Sequence, residues 1–132
     1  MSLVRLHSVF GSTRYLNEIE LINHVHAIRF QAKKLGLTGV VTYRADLFAL
    51  HAEGQSVSVD DFSQFISEKY AVKYSDIAHI ISRAYTGLNM SYVGNDAPIV
   101  NEPVIDWGIE NPVVVFPHEL IQKLLEINRL SL

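Results

Sequence analysis

Leu35-Gly36-Leu37-Thr38-Gly39-Val40-Val41-Thr42-Tyr43-Arg44-Ala45-Asp46-Leu47-Phe48-Ala49-Leu50-His51-Ala52-Glu53-Gly54 is the stretch on which the reading of the fold turns. Gly36 stands just past an apolar series of helical spacing, where a left-handed backbone closes a helix at little cost only for glycine. Thr38 to Tyr43 and Leu47 to Ala52 are rich in β-branched and apolar residues, and the polar Arg44-Ala45-Asp46 between them predicts a hairpin. The second strand runs into a turn at Glu53-Gly54.

Upstream, Leu21, Val25, Ile28, Ala32 and Leu35 recur at spacings of four, three, four and three, one face of an amphipathic helix. Asn17 with Glu20 fits its N-cap and the carboxylate that completes a capping box. Leu3 to Phe10 reads as a first strand, broken by Gly11-Ser12-Thr13. Downstream, a second helix is expected from Ser58, with Asp60 and Asp61 in its first turn and Val59, Phe62, Phe65 and Ile66 as its buried stripe. Asp76 to Arg83 is expected as a fourth strand, and Leu88 to Val93 as a fifth after the Thr86-Gly87 turn. Residues 94–115, with Pro98, Pro103 and Pro112, read as an irregular connector. Pro117 then opens a last helix carrying Leu120, Ile121, Leu124, Leu125 and Ile127.

This order is the split βαβ arrangement. The expected fold class is α+β: a ferredoxin-like βαββαβ sandwich with an added fifth strand and a C-terminal helical segment. Two helices cover one sheet face, and the C-terminal segment is available for the other.

Composition narrows the function. A chain of 132 residues, 48% hydrophobic and 19% charged, fits one folded domain. A net charge of −3 gives no electrostatic case for nucleic acid or an anionic membrane surface. No run approaches the roughly 18 apolar residues of a spanning helix. Met1-Ser2-Leu3-Val4-Arg5 lacks the features of a secretory leader, so a cytoplasmic location is expected. The absence of cysteine excludes disulfides, thiol nucleophiles and thiolate metal sites.

Residues 3 to 94 resemble the BLUF family of flavin-based blue-light sensors. The landmarks are Leu3-Val4-Arg5-Leu6, Leu35-Gly36-Leu37-Thr38-Gly39, then Tyr43, Phe48 and Glu53-Gly54 in the hairpin. The family's closing pattern, Arg-x-Phe-x-x-Trp-x-Met, keeps its spacing in Arg83-Ala84-Tyr85-Thr86-Gly87-Leu88-Asn89-Met90. The resemblance implies a BLUF-like domain over 1–94 and a C-terminal extension over 95–132, whose helix packs on the sheet or on a partner. It also implies a flavin between the two sheet-packed helices. In that family a first-strand tyrosine donates an electron and a proton, a third-strand glutamine rearranges its hydrogen bonds, and an asparagine near the end of the first helix holds the ring. Counted from the landmarks, these positions are Ser8, Leu50 and Ala32; the motif methionine is Met90, and the tryptophan often found two residues before it is Leu88.

A serine hydroxyl is a poor one-electron donor beside a phenol, and Ala32 and Leu50 have no polar side-chain atom. Losing two hydrogen-bond partners at about 1–3 kcal/mol each weakens flavin binding by roughly 10²–10⁴-fold. The expectation is therefore a diverged BLUF-like signalling or protein-interaction domain, not an enzyme, with no cofactor, or FAD or FMN if the family pocket is retained. Alternatives are a photoreceptor using Tyr43, Tyr85 or Trp107 as substitute donors, and a small flavin-dependent redox enzyme. The expected partner is a protein or a second copy, engaged through Ile121, Leu124, Leu125 and Leu130; nucleic acid and membrane are not expected.

Other chemistry is thin. His24 and His26, two apart, do not share a helix face. His7 and His51 are out of phase with the family's flavin positions and point to the opposite sheet face, where His79 is a further candidate; no carboxylate has ligand spacing to them, so no metal site is expected. Capping explains Asp60-Asp61, and the family turn explains Glu53-Gly54. Ser8 beside His7 in a strand makes no nucleophile–base pair, and Arg83 is expected to hold the turn before Met90. Gly36-Leu37-Thr38-Gly39 lacks phosphate-loop spacing. An acylphosphatase-like hydrolase needs an arginine and an asparagine converging on a phosphate, and none is evident in the sequence.

Overall fold

A computed structural model describes residues 2–12, 14–85, 90–93, 102–103, 113–114 and 117–130. The chain follows the expected order. Strand β1 (Leu3–Gly11) leads into helix α1 (Glu18–Lys34), and the hairpin β2 (Thr38–Arg44) and β3 (Leu47–Gln55) follows. Helix α2 (Ser56–Lys69), β4 (Ala71–His79) and β5 (Met90–Val93) complete a five-stranded sheet in the order β4-β1-β3-β2-β5. The neighbouring pairs β4–β1, β1–β3 and β3–β2 are antiparallel, and β5 runs parallel to β2. The α+β ferredoxin-like fold class is the observed one.

Local chemistry explains each boundary. Asn17 and Glu20 form the full capping box: the Asn17 side chain accepts from Glu20 N at 2.9 Å, and the Glu20 carboxylate accepts from Asn17 N at 3.3 Å. Gly36, at φ +73°, ends α1, donating to the Lys33 carbonyl. Gly39 is required for a different reason. Its backbone, at φ +153°, lies so close to β3 that any Cβ would run into the His51 carbonyl.

Four sequence expectations shift. The hairpin turn is only Ala45-Asp46, at φ +52° and +63°, because Arg44 already pairs with Leu47 in the ladder. Two left-handed residues are the type I′ geometry that matches strand twist. Helix α2 begins at Ser56, directly after β3, so Asp60 and Asp61 lie beyond its first turn and do not cap it. Strand β4 spans Ala71–His79 rather than Asp76 to Arg83. It is a sheet edge exposed along both faces, so its sequence lacks the alternation that marks a half-buried strand. Within the connector, β6 (Glu102–Pro103) pairs antiparallel with β7 (Val113–Val114). The Thr86-Gly87 turn, Leu88, Pro98 and Pro112 lie outside the described residues.

Each sheet face has its own core. Val4, Leu6, Phe10, Val41, Tyr43, Phe48, Leu50, Ala52 and Met90 pack under α1 and α2 against Val25, Ile28, Ala32, Val59, Phe62 and Ile66. On the other face Val9, Val40, Leu47, Ala49 and Val93 meet Leu120, Ile121 and Leu124 of α3 (His118–Leu130). The apolar face of α3 is thus spent on the chain's own sheet, and Leu120, Ile121 and Leu124 are buried there; Leu125 stays exposed, and the Leu130 side chain lies outside the described residues. This corrects the expectation that Ile121 and Leu124 are free for self-association. Short β5 is pinned from both sides: Arg29 Nε donates to the Met90 carbonyl at 2.8 Å and Thr42 Oγ1 to the Val93 carbonyl at 2.8 Å.

Alanine in a left-handed turn costs about 1 kcal/mol, a cost asparagine largely escapes. Ala45→Asn is therefore expected to stabilise the fold by about 1 kcal/mol, and Ala45→Val to destabilise it, both read from urea unfolding midpoints at unchanged slope.

Candidate functional site

The four positions carried over from the resemblance fall on one side of the sheet. Ser8 and Leu50 are directly cross-strand, Leu50 also faces Val41, and Met90 pairs with Gly39 on the far side of β2. Ala32, in the last turn of α1, joins Leu50 and Met90 in the core beneath the two helices. Ala32, Leu50 and Met90 are fully buried, and Ser8 nearly so. The Ser8 hydroxyl donates to the Tyr74 carbonyl of β4 at 3.2 Å, inside the chain's own sheet. As they stand, the side chains at positions 8, 32 and 50 do not fit the polar edge of a flavin: one donor is already committed and two are hydrocarbon. Tyr43, the substitute donor within this face, packs its ring 4.6 Å from that of Phe48, and burial with nearby Asp46 raises its pKa. Trp107 lies outside the described residues.

The polar chemistry of the domain is on the opposite face. His7 of β1 and His51 of β3 are cross-strand neighbours, both buried, with His7 Nε2 2.7 Å from His51 Nδ1. His51 Nε2 lies 3.0 Å from Glu53 Oε2, close but poorly aligned for a hydrogen bond. A carboxylate there favours the proton on His51 Nε2, which leaves Nδ1 as acceptor and makes His7 Nε2 the donor. The Tyr85 ring covers His51 at 4.9 Å.

Glu53 is the centre of this array. It is 1% exposed, and its two oxygens accept from the backbone of Ala84 (2.9 Å) and Tyr85 (2.9 Å). Arg83 Nη1 donates to the Gly36 carbonyl at 3.2 Å, Thr38 Oγ1 at 3.0 Å and the Glu53 carbonyl at 3.2 Å. The segment leaving β4 is thereby tied to the end of α1 and to both strands of the hairpin. The sequence marks Glu53-Gly54 and Arg83 as turn residues, but Glu53 and Gly54 lie within β3, which continues to Gln55; that Glu53 and Arg83 latch onto each other's segments is a tertiary result. His79 does not join the histidines: it is exposed, opposite Val4 at the end of β4. His24 instead contacts the Tyr70 hydroxyl through Nδ1 at 2.6 Å, and burial pushes that phenol up to about 12. No group of three or more histidine and carboxylate side chains among the described residues could hold a metal ion.

With this geometry in place, the comparisons are readily understood. No protein-family model and no curated protein matches the chain. Solved structures do. The chain is similar to the dark-state structure of BlrB, a BLUF protein, at 23% identity and a TM-score of 0.60 over 70% of this chain and 73% of that one. It is similar to a bacterial light-regulated adenylyl cyclase at 17% identity and TM-score 0.61, covering 98% of this chain and 35% of the cyclase. Acylphosphatase from Bacillus subtilis gives 16% identity and TM-score 0.52, over 68% of this chain and 98% of that one. The fold is BLUF-like, on the sandwich that acylphosphatases share.

Two outcomes follow for the latch. Removing the carboxylate with Glu53→Ala takes the acceptor from the part-buried Ala84 and Tyr85 N–H groups and is expected to cost about 2 kcal/mol, with Glu53→Gln intermediate because its amide oxygen still accepts one bond; urea titration reads both. Burial and the neighbouring His51 lower the His7 pKa from 6.5 to about 4, and burial lowers that of His51. A lowered folded pKa means the unfolded chain binds the extra proton first. Stability is therefore full above pH 6.5, falls as pH drops from 6.5 towards 4, and this slope flattens in His7→Gln.

Proposed function

We propose that this chain is a signalling or protein-interaction module built on a BLUF-like fold, and that it works without flavin photochemistry. The observation that carries this reading is the packing at positions 8, 32 and 50: a committed serine hydroxyl, and an alanine and a leucine with no solvent exposure. A dense apolar core replaces the hydrogen-bonding side chains that the resemblance calls for. The second sheet face is the working surface, because it carries the polar array and the docked α3. The similarity to a light-regulated adenylyl cyclase, 35% of which the match covers, supports a role in relaying state to a partner. The module acts through its partner, in the soluble interior of the cell; no described helix is long and apolar enough to cross a membrane.

The enzyme reading has a specific point against it. The arginine and asparagine nearest the start of α1, Arg14 and Asn17, are both engaged by Glu20: Arg14 Nη2 by its carboxylate, and Asn17 through the capping box.

Absorbance of the purified chain tests the proposal. It is expected to be colourless and to stay so after incubation with FAD or FMN and gel filtration. A yellow protein with a reversible red shift under blue light supports the photoreceptor reading instead. Leu50→Gln is expected to cost about 2–3 kcal/mol without conferring flavin binding, since it buries an amide in a closed hydrocarbon core.

A further inference from the structure

We infer that the outer face of α1 is a self-association surface, on which a second copy of this chain packs its own α1 antiparallel. This goes beyond the functional reading above and does not depend on the state of the flavin positions.

Helix α1 buries Val25, Ile28 and Ala32 towards the sheet and turns a second apolar stripe to solvent. Ile19 is 71% exposed, Ile22 49% and Phe30 67%, and His26 and Lys33 are exposed on the same face. One or two exposed apolar side chains are ordinary; an isoleucine pair and a phenylalanine aligned on one helix face are not. At 100° per residue, Ile19, Ile22, His26, Phe30 and Lys33 fall on one stripe.

The identity of the occupant follows from the order of that stripe. Its spacings are three, four, four and three, the same read from either end. A two-fold axis through His26 therefore seats Ile22 against Phe30 of the second copy, and Phe30 against its Ile22. Charge agrees with this register. Glu18 lies at the N-terminal end of α1 and Lys33 and Lys34 in its last turn. Antiparallel pairing brings Glu18 beside the second copy's Lys33, whereas parallel pairing sets like charges together. An isologous contact of this kind closes as a dimer and leaves no open end. A single helix face is smaller than a standard interface of about 800 Å² per partner, so dissociation in the region of 0.1 mM is expected.

The chain has no cysteine, which makes cross-linking clean. His26→Cys alone, and a mixture of Ile22→Cys and Phe30→Cys chains, are expected to form disulfide-linked dimers under mild oxidation. Val57→Cys, equally exposed on α2 but off this stripe, is the control and is expected to form no disulfide-linked dimer. In sedimentation velocity at 0.5 mM, the unmodified chain is expected to dimerise, Glu18→Lys to weaken the dimer at least tenfold, and Glu18→Lys with Lys33→Glu to restore it. Circular dichroism confirms that each variant is folded. A monomer at 0.5 mM overturns the inference. So does a dimer that persists in Phe30→Glu, or cross-linking no better at position 26 than at position 57.

Discussion

The buried carboxylate of Glu53 is the constraint on which the arrangement of the second sheet face rests. A group 1% exposed keeps its place only if its oxygens are satisfied, and the backbone amides of Ala84 and Tyr85 do this. Those two bonds, with the three that Arg83 makes, fix where the chain leaving the edge strand crosses back over the hairpin. Strand β5, from Met90, pairs alongside β2 of that hairpin. The same carboxylate orients His51, which in turn orients His7. One side chain thus couples the sheet's outer rim to its polar centre.

The two faces of the sheet have divided the work. Under α1 and α2 the packing is hydrocarbon, relieved by Ser8 turned to the neighbouring strand's carbonyl and by rings stacked around Phe48. Under α3 the packing is mixed: Leu120, Ile121 and Leu124 sit on Val9, Val40 and Ala49, while the histidine pair and Glu53 are buried beside them. The buried titratable groups His7, His51 and Glu53 are all on the second face, where buried polar groups have few alternative partners. The first face supplies rigidity. That division separates an apolar face from a polar one on a single BLUF-like scaffold.

Much of this was legible in the residues themselves. The period of α1, its Asn17–Glu20 cap, the terminating Gly36 and the hairpin needed only local chemistry. The placement of Ser8, Ala32, Leu50 and Met90 on one buried face followed from strand alternation and helix period. The bounds of the edge strand β4 are not legible locally, because a strand exposed on both faces has no hydrophobic rhythm to read. The first turn of α2 was misplaced for a related reason: β3 passes into the helix with no breaker, and Gln55 makes no side-chain cap.

By itself the sequence determined the βαββαβ order, the limits of its best-capped helix, and the absence of thiol chemistry, because these depend on spacing and residue type alone. Only the tertiary structure decided that Glu53 reaches Ala84 and Tyr85, 31 and 32 residues away, that His7 meets His51, and that α3 buries Leu120, Ile121 and Leu124 on its own sheet. Contacts between distant segments depend on how the sheet brings them together. No local pattern encodes that distance.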